Sequence, residues 1–288
     1  MSVESKGHEP GAFQGPVWEG VYSNFREVPV VGPGFDSETW IANSLKKIAA
    51  VREEAARSAP LPTPANYREA LLPLLAAMVR METGRVRILD FGGGLGFAYY
   101  QVVCGLPRQH GVEYHIVERD AVCRAGKQFF SNTAENIHFH SELPGLQGVL
   151  DIVHLGSSIH YVEDWRLLLT RLCALAPKYV LLVDVPAGNI PTFATAQNYY
   201  GSKIPAWFLN IQDLLPAISS RGYELTFTSS YQPRILGVEQ PLPMQNFADR
   251  YRLSRTSNLL FAKNVSGASA PHLEPSAGHS GPMRQGAI

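Results

Sequence analysis

From Arg85 to Lys263, short runs rich in Val, Ile and Leu alternate with stretches of helical periodicity, and this alternation limits the fold more than any other feature. The apolar runs are Val86–Phe91, Glu113–Glu118, Asn136–Phe139, Asp151–Leu155 and Tyr179–Val185, with helices expected near Gly96–Gly105, Asp120–Ser131 and Glu163–Ala176. Strands that are apolar throughout are buried on both faces, and helices of this length between them make right-handed crossovers. The expectation is a doubly wound α/β domain with a mostly parallel sheet. A helix near Ile211–Arg221 is followed by two runs, Tyr223–Ser229 and Asn258–Lys263, with no helix between them. They are expected as an antiparallel hairpin at one edge, completing seven strands.

The flanks read differently. Trp18–Phe35 is aromatic but broken by Gly and Pro, which suggests an arm over the core and not a periodic element. A helix follows, capped by Asp36 or Ser37, with Ile41, Leu45, Ile48 and Ala49 at helical spacing. Pro60, Pro62 and Pro64 end it, and Asn66 with Glu69 forms a capping-box pattern for a second helix running to about Met81. Asn264–Ile288 is dominated by Gly, Pro, Ser and Ala and reads as a disordered tail. The expected organisation is an N-terminal arm and helical cap over residues 1–83, the α/β domain over 84–263 and the tail over 264–288.

Composition narrows the partners. Lys plus Arg and Asp plus Glu both number 25, so the formal charge is zero and the basic footprint of a nucleic-acid binder is missing. Cys104, Cys123 and Cys173 are far apart and lack metal-ligand spacing, so neither disulfides nor a metal site is expected. No N-terminal apolar region or membrane-length apolar run occurs, and a cytoplasmic location without membrane insertion is the expectation.

The first apolar run ends in Asp90-Phe91-Gly92-Gly93-Gly94-Leu95-Gly96, directly before a helix. Such a loop turns sharply, brings backbone against a ligand and offers the free N–H groups of a helix start. A dinucleotide fingerprint beginning at Gly92 needs Gly or Ala at 97, where Phe97 stands, and the Gly-Lys-Ser/Thr of a P-loop is absent. The pattern D-x-G-x-G-x-G does fit, with Asp90, Gly92, Gly94 and Gly96. The second run ends in Glu118, 22 residues beyond Gly96. An acid at that strand tip accepts hydrogen bonds from the ribose hydroxyls of a bound nucleoside.

The segments RILDFGGGLG, VERD, DIVHLGSSIHYVEDW and YVLLVDVP follow the motif order of class I S-adenosylmethionine-dependent methyltransferases, which the chain resembles across roughly residues 18–263. It is similar within them to a bacterial branch of undetermined substrate, often encoded among surface-polysaccharide genes. The shared features are the W-x-G-x-Y-x-x-F arm at Trp18–Phe25, Gly34–Asp36, the Asp90–Gly96 loop, S-S-x-x-Y at Ser157–Tyr161 and Q-x-x-Y at Gln197–Tyr200. His160 departs from the glutamine of that branch. The resemblance implies a Rossmann-like methyltransferase fold, S-adenosylmethionine as cofactor bound by Asp90, Gly92, Gly94, Gly96, Glu118 and Ser157, and a small-molecule substrate.

Acceptor-side candidates come from the strand tips that converge at the switch point of such a sheet. His160 is a candidate base, Tyr161 stands beside it, and Asp184 ends the fifth run; each has a plain alternative as a packing or loop-stabilising residue. Pro186–Asn210 is long for a connector and is expected to form a lid or substrate platform, with Gln197, Tyr199 and Tyr200 suited to a polar ring such as a sugar. Trp18, Tyr22 and Phe25 are candidates to close the other side. No Asn/Asp-Pro-Pro-Tyr or Pro-Cys motif occurs, which leaves a nitrogen or oxygen acceptor on a small or carrier-linked metabolite. Two other readings stay open: a non-catalytic S-adenosylmethionine-binding partner protein and a nicotinamide-dependent oxidoreductase.

Overall fold

The computed structural model describes residues 15–57, 70–106, 111–132, 134, 136–199, 201–232, 234–235 and 238–264. In chain order the elements are β1 (Trp18–Tyr22), α1 (Glu38–Arg57), α2 (Leu71–Thr83), β2 (Val86–Phe91), α3 (Phe97–Gly105), β3 (Val112–Val117), α4 (Asp120–Phe130) and β4 (Ile137–His140). They continue with β5 (Ile152–Gly156), α5 (Trp165–Ala174), β6 (Tyr179–Val185), β7 (Ala187–Gly188), β8 (Phe193–Tyr199), β9 (Ser202–Asn210) and α6 (Ile211–Ser219). The last are β10 (Tyr223–Tyr231), β11 (Arg234–Ile235), β12 (Val238–Glu239) and β13 (Thr256–Lys263).

The main sheet has seven strands in the order β10-β13-β6-β5-β2-β3-β4. Its five central and outer strands β6, β5, β2, β3 and β4 run parallel, while β13 is antiparallel to both β6 and β10. Ile88 and Leu89, adjacent in β2, point to opposite faces and are both fully buried, which is why this strand reads as a continuous apolar run. One face packs on α1 to α4 through Ile48, Leu72, Val79, Tyr99 and Phe130. The other packs on α5 and α6 through Trp165, Leu169, Leu172, Leu214 and Ile218. The chain enters at β2, winds outward through β3 and β4, and returns to β5, so the switch point lies between β2 and β5. Backbone diverges there, and a crevice opens at the carboxyl ends of the strands.

Two expectations need correction. Pro186–Asn210 is not a loop: β8 and β9 form a hairpin paired from Phe193 and Phe208 to Tyr199 and Ser202, within a second sheet ordered β1-β8-β9-β7. Small residues are buried on both of its faces, Ala194 and Ala196 on one and Ser202 and Ala206 on the other, and Pro205 lies inside β9, so hydropathy and strand propensity both understate it. Gly201, at a φ of 74°, marks the turn. The arm is likewise partly regular, because β1 pairs antiparallel with β8, after which Val31 bridges to Lys203. The capping pair Asn66 and Glu69, the three prolines and residues 265–288 lie outside the described residues.

Candidate functional site

At the switch point the glycine loop and the acid at the tip of β3 touch. The Gly94 N–H donates to Glu118 Oε1 at 3.2 Å, and the Arg119 N–H donates to Glu118 Oε2 at 2.8 Å. Burial pushes the Glu118 carboxyl above its usual range, and these two N–H donors oppose that rise. Gly94 is left-handed, at a φ of 57°, and a Cβ built there meets nothing within 4 Å because it points into open space.

Asp90 lies beneath the loop, 1% exposed, accepting from the Tyr114 hydroxyl and from His154 Nδ1, both at 2.7 Å. A Cβ on Gly93 would stand 2.4 Å from Asp90 Oδ2, so the second of the three glycines is fixed by close approach of that carboxylate. Gly96 caps α3 and packs on Ile137, whose Cδ1 would lie 3.1 Å from an added Cβ.

A cavity of about 610 Å³ runs from Gly92, Gly94 and Glu118 past the tips of β5 and β6 to the second sheet. A smaller one of about 310 Å³ adjoins it around Asp90, Gly93, His154 and Trp40. Ser157 and Asp184 line both, and both are non-glycine residues in left-handed backbone, with φ of 52° and 55°. Such conformations cost about 1–3 kcal/mol each and persist only where the surroundings fix them. Here the Ser157 hydroxyl donates to Asp184 Oδ2 at 2.9 Å, Thr256 donates to Asp184 Oδ1 at 2.7 Å, and the Asp184 N–H donates to Asn258 Oδ1 at 3.0 Å.

His160 sits on a 3₁₀ turn, Ile159–Tyr161, 7% exposed, and its Nδ1 has no hydrogen-bond partner among the described residues. Burial alone pushes its pKa down to about 3, so the ring is neutral near pH 7. The neighbouring Tyr161 hydroxyl donates to Gln197 Oε1 at 2.6 Å, and burial holds that phenol far above its usual range. This bond ties the segment after β5 to β8.

The arm completes the enclosure. Phe35 lies 4.9 Å from the Tyr161 ring, 5.6 Å from Trp40 and 6.0 Å from Tyr199, centroid to centroid. Asp36 pairs with Arg119, next to Glu118. Trp18 lies against Phe208, 5.6 Å away and edge to face, and both line the large cavity.

Of the residues singled out in the sequence, Gly92, Gly94, Glu118, Ser157, His160, Tyr161, Asp184, Gln197 and Tyr199 converge on the large cavity. Asp90 lines the smaller one, and Gly96 packs within the fold. Tyr22 and Phe25 pack with Val28 against β8, and Tyr200 lies outside the described residues. Phe208, from the segment expected to form a substrate platform, also lines the large cavity, as do Phe35, Trp40, Leu242 and Thr256, which were not singled out as site residues. Phe35 had a signal, standing inside the Gly34–Asp36 motif; Thr256 had none. Among the described residues no group of three or more His, Cys, Asp or Glu side chains is arranged to hold a metal, and no helix is long and apolar enough to cross a membrane.

Residues 45–226 match a family model described as a methyltransferase domain. Among solved structures, the chain is similar to an S-adenosylmethionine-dependent methyltransferase from Clostridium acetobutylicum, at 9% identity over 76% of this chain and 98% of that one, with a TM-score of 0.46. It is also similar to the 1,6-didemethyltoxoflavin-N1-methyltransferase of Burkholderia thailandensis, at 15% identity over 82% and 93% of the two chains, with a TM-score of 0.41. No curated protein matches it in sequence.

Proposed function

The chain belongs to the methyltransferase domain family, and from that premise we propose that it takes S-adenosylmethionine as its cofactor and methylates a nitrogen or oxygen of a small molecule held between the β5 and β6 tips and the second sheet. The observation that carries this reading is the direct contact between Gly94 and Glu118 at the head of a cavity whose far walls are aromatic and amide side chains.

The residues present fit the cofactor. Space stands open over Gly94, where a side chain would intrude, and Glu118 offers a partly buried carboxylate suited to a pair of ribose hydroxyls. Gly92 and Gly94 would bring backbone against it, with Ser157 at the neighbouring tip and Asp90 bracing the loop from below. When bound, S-adenosylmethionine supplies a methyl group already activated on a sulfonium. The protein's part is then alignment, exclusion of water and handling of one proton.

Asp184, held by Ser157 and Thr256, is our candidate to receive the acceptor's N–H or O–H. His160 accepts a proton too reluctantly to serve well as a base near neutrality, so we assign its unpartnered Nδ1 to a hydrogen bond that orients the acceptor. Tyr161 and Gln197 steady each other, and Tyr199 and Phe35 offer ring faces. A polar ring suits this lining, and a surface-polysaccharide precursor is one such acceptor.

The test is transfer of labelled methyl from S-adenosylmethionine into a metabolite extract. Protein-dependent label in small molecules is expected. Glu118→Ala should weaken binding of the product S-adenosylhomocysteine about tenfold or more, as loss of a charged acceptor costs about 1.5–3 kcal/mol. Binding with no transfer to any extract would instead indicate a non-catalytic partner protein. Thermal stabilisation by NAD(H) with none by S-adenosylhomocysteine would indicate an oxidoreductase.

A further inference from the structure

We propose that Asp36, in the N-terminal arm, is a positioning residue for the cofactor: it holds the Arg119 guanidinium, and Arg119 in turn orients the Glu118 carboxylate, so that seating of the arm and retention of the cofactor are coupled. This goes beyond the methyl-transfer reading by assigning a residue outside the glycine loop and the strand tips, and it rests on the cofactor part of that reading.

Glu118 is fixed at both oxygens, Oε1 by the Gly94 N–H at 3.2 Å and Oε2 by the Arg119 N–H at 2.8 Å. Each carboxylate oxygen keeps a further lone pair for a ribose hydroxyl, so the placing of these two N–H groups sets the direction in which the carboxylate faces the cavity. Gly94 is placed by the glycine loop. Arg119 stands between the end of β3 and the start of α4, where its C=O accepts from the Cys123 N–H at 2.9 Å and its side chain makes no helix cap. That side chain lines the large cavity instead, and its guanidinium pairs with Asp36. The second donor to Glu118 thus belongs to a residue whose far end is held by the arm.

An ion pair whose side chains are 56% and 39% exposed is ordinarily worth little, because two mobile side chains must be ordered to make it. Here one partner is ordered already. Asp36 ends the 3₁₀ turn Gly34–Asp36, in which the Ser37 N–H donates to the Gly34 carbonyl at 3.2 Å. On one side β9 holds the turn, through the Gly34 N–H on Ser202 Oγ at 3.1 Å and the bridge from Val31 to Lys203. On the other side α1 begins at once, with the Trp40 N–H donating to Ser37 Oγ at 3.4 Å. Phe35, the residue before Asp36, packs its ring on Tyr161, Trp40 and Tyr199. Asp36 is therefore presented to Arg119 from a fixed backbone, and lifting the arm would release Arg119 and the Phe35 ring together.

The experiment uses the full chain with S-adenosylhomocysteine as probe, its affinity read by calorimetry and its dissociation by stopped-flow displacement. At an ionic strength of about 0.01 M, where charges act over about 30 Å, Asp36→Asn should release the probe about two- to fivefold faster than the wild type and bind it correspondingly more weakly. At about 1 M, where that range falls to about 3 Å, the gap should narrow. Asp36→Glu, which keeps the charge, should recover at least half of the loss at low salt. Equal release rates for wild type and Asp36→Asn at low salt overturn the proposal. So does a gap of the same size at both salt concentrations, or one that Asp36→Glu shares in full, since either marks a disturbed arm and not a lost charge. Absence of binding by the wild type sinks the cofactor reading and this proposal with it; binding that is indifferent to Asp36 sinks this proposal alone.

Discussion

Gly93 and Asp90 account for each other. The carboxylate occupies the place of a side chain under the loop, and the middle of the three consecutive glycines, outside the D-x-G-x-G-x-G pattern, exists to admit it. The same buried interior sets a pH dependence. His160 is held neutral by burial, with a pKa of about 3 against 6.5 for a free imidazole, and burial also lowers His115 and His140. A depressed pKa means the unfolded chain binds protons more readily, so this stability is fully present above about pH 6.5 and is lost as pH falls toward 3. The urea midpoint should therefore be flat above neutrality and decline below it, and His160→Leu should make the acid decline shallower. An equal slope in that variant would mean that His160 is hydrated in solution.

The arm and second sheet act as one element on the cavity. β1 is hydrogen-bonded to β8, and Phe35 fills the gap between Tyr161 on the main domain and Tyr199 on β8. Each aromatic pair is worth about 0.5–1.5 kcal/mol beyond its burial. Phe35→Ala should raise KM for the acceptor roughly tenfold in titrations with an acceptor-containing fraction, with little change in S-adenosylhomocysteine affinity. A loss confined to S-adenosylhomocysteine affinity would assign the arm to the other end of the cavity, where Asp36 meets Arg119.

Across the whole molecule, the second sheet joins residues near the N-terminus to a hairpin between β6 and α6, so a chain beginning at residue 36 should be substantially weakened. It loses buried Trp18 and Val28 and bares the edge of β8. At about 1.5–3 kcal/mol per buried side chain, and about 2–4 °C per kcal/mol, the melting temperature should fall by roughly 10 °C. Removing residues 265–288 is expected to leave it unchanged, as their composition suggests. The main sheet was legible because strands such as β2 are buried on both faces and carry one unbroken apolar signal. β8 and β9 were not, because Ala194, Ala196 and Pro205 speak against a strand and only tertiary packing overrules them. In the site, Glu118 and Asp184 were legible as ends of parallel strands, which must converge. Thr256 was not, since its bond to Asp184 closes a separation of 72 residues that no local pattern records. The enclosure also supplies its own reporter: of four tryptophans, Trp18 and Trp40 line the cavity, while Trp165 is sealed in the core and Trp207 stacks on Phe25 away from the cavity lining. Ligand entry should thus change the indole fluorescence of the unlabelled protein against a constant background, so that acceptors can be screened by titration before any product is known.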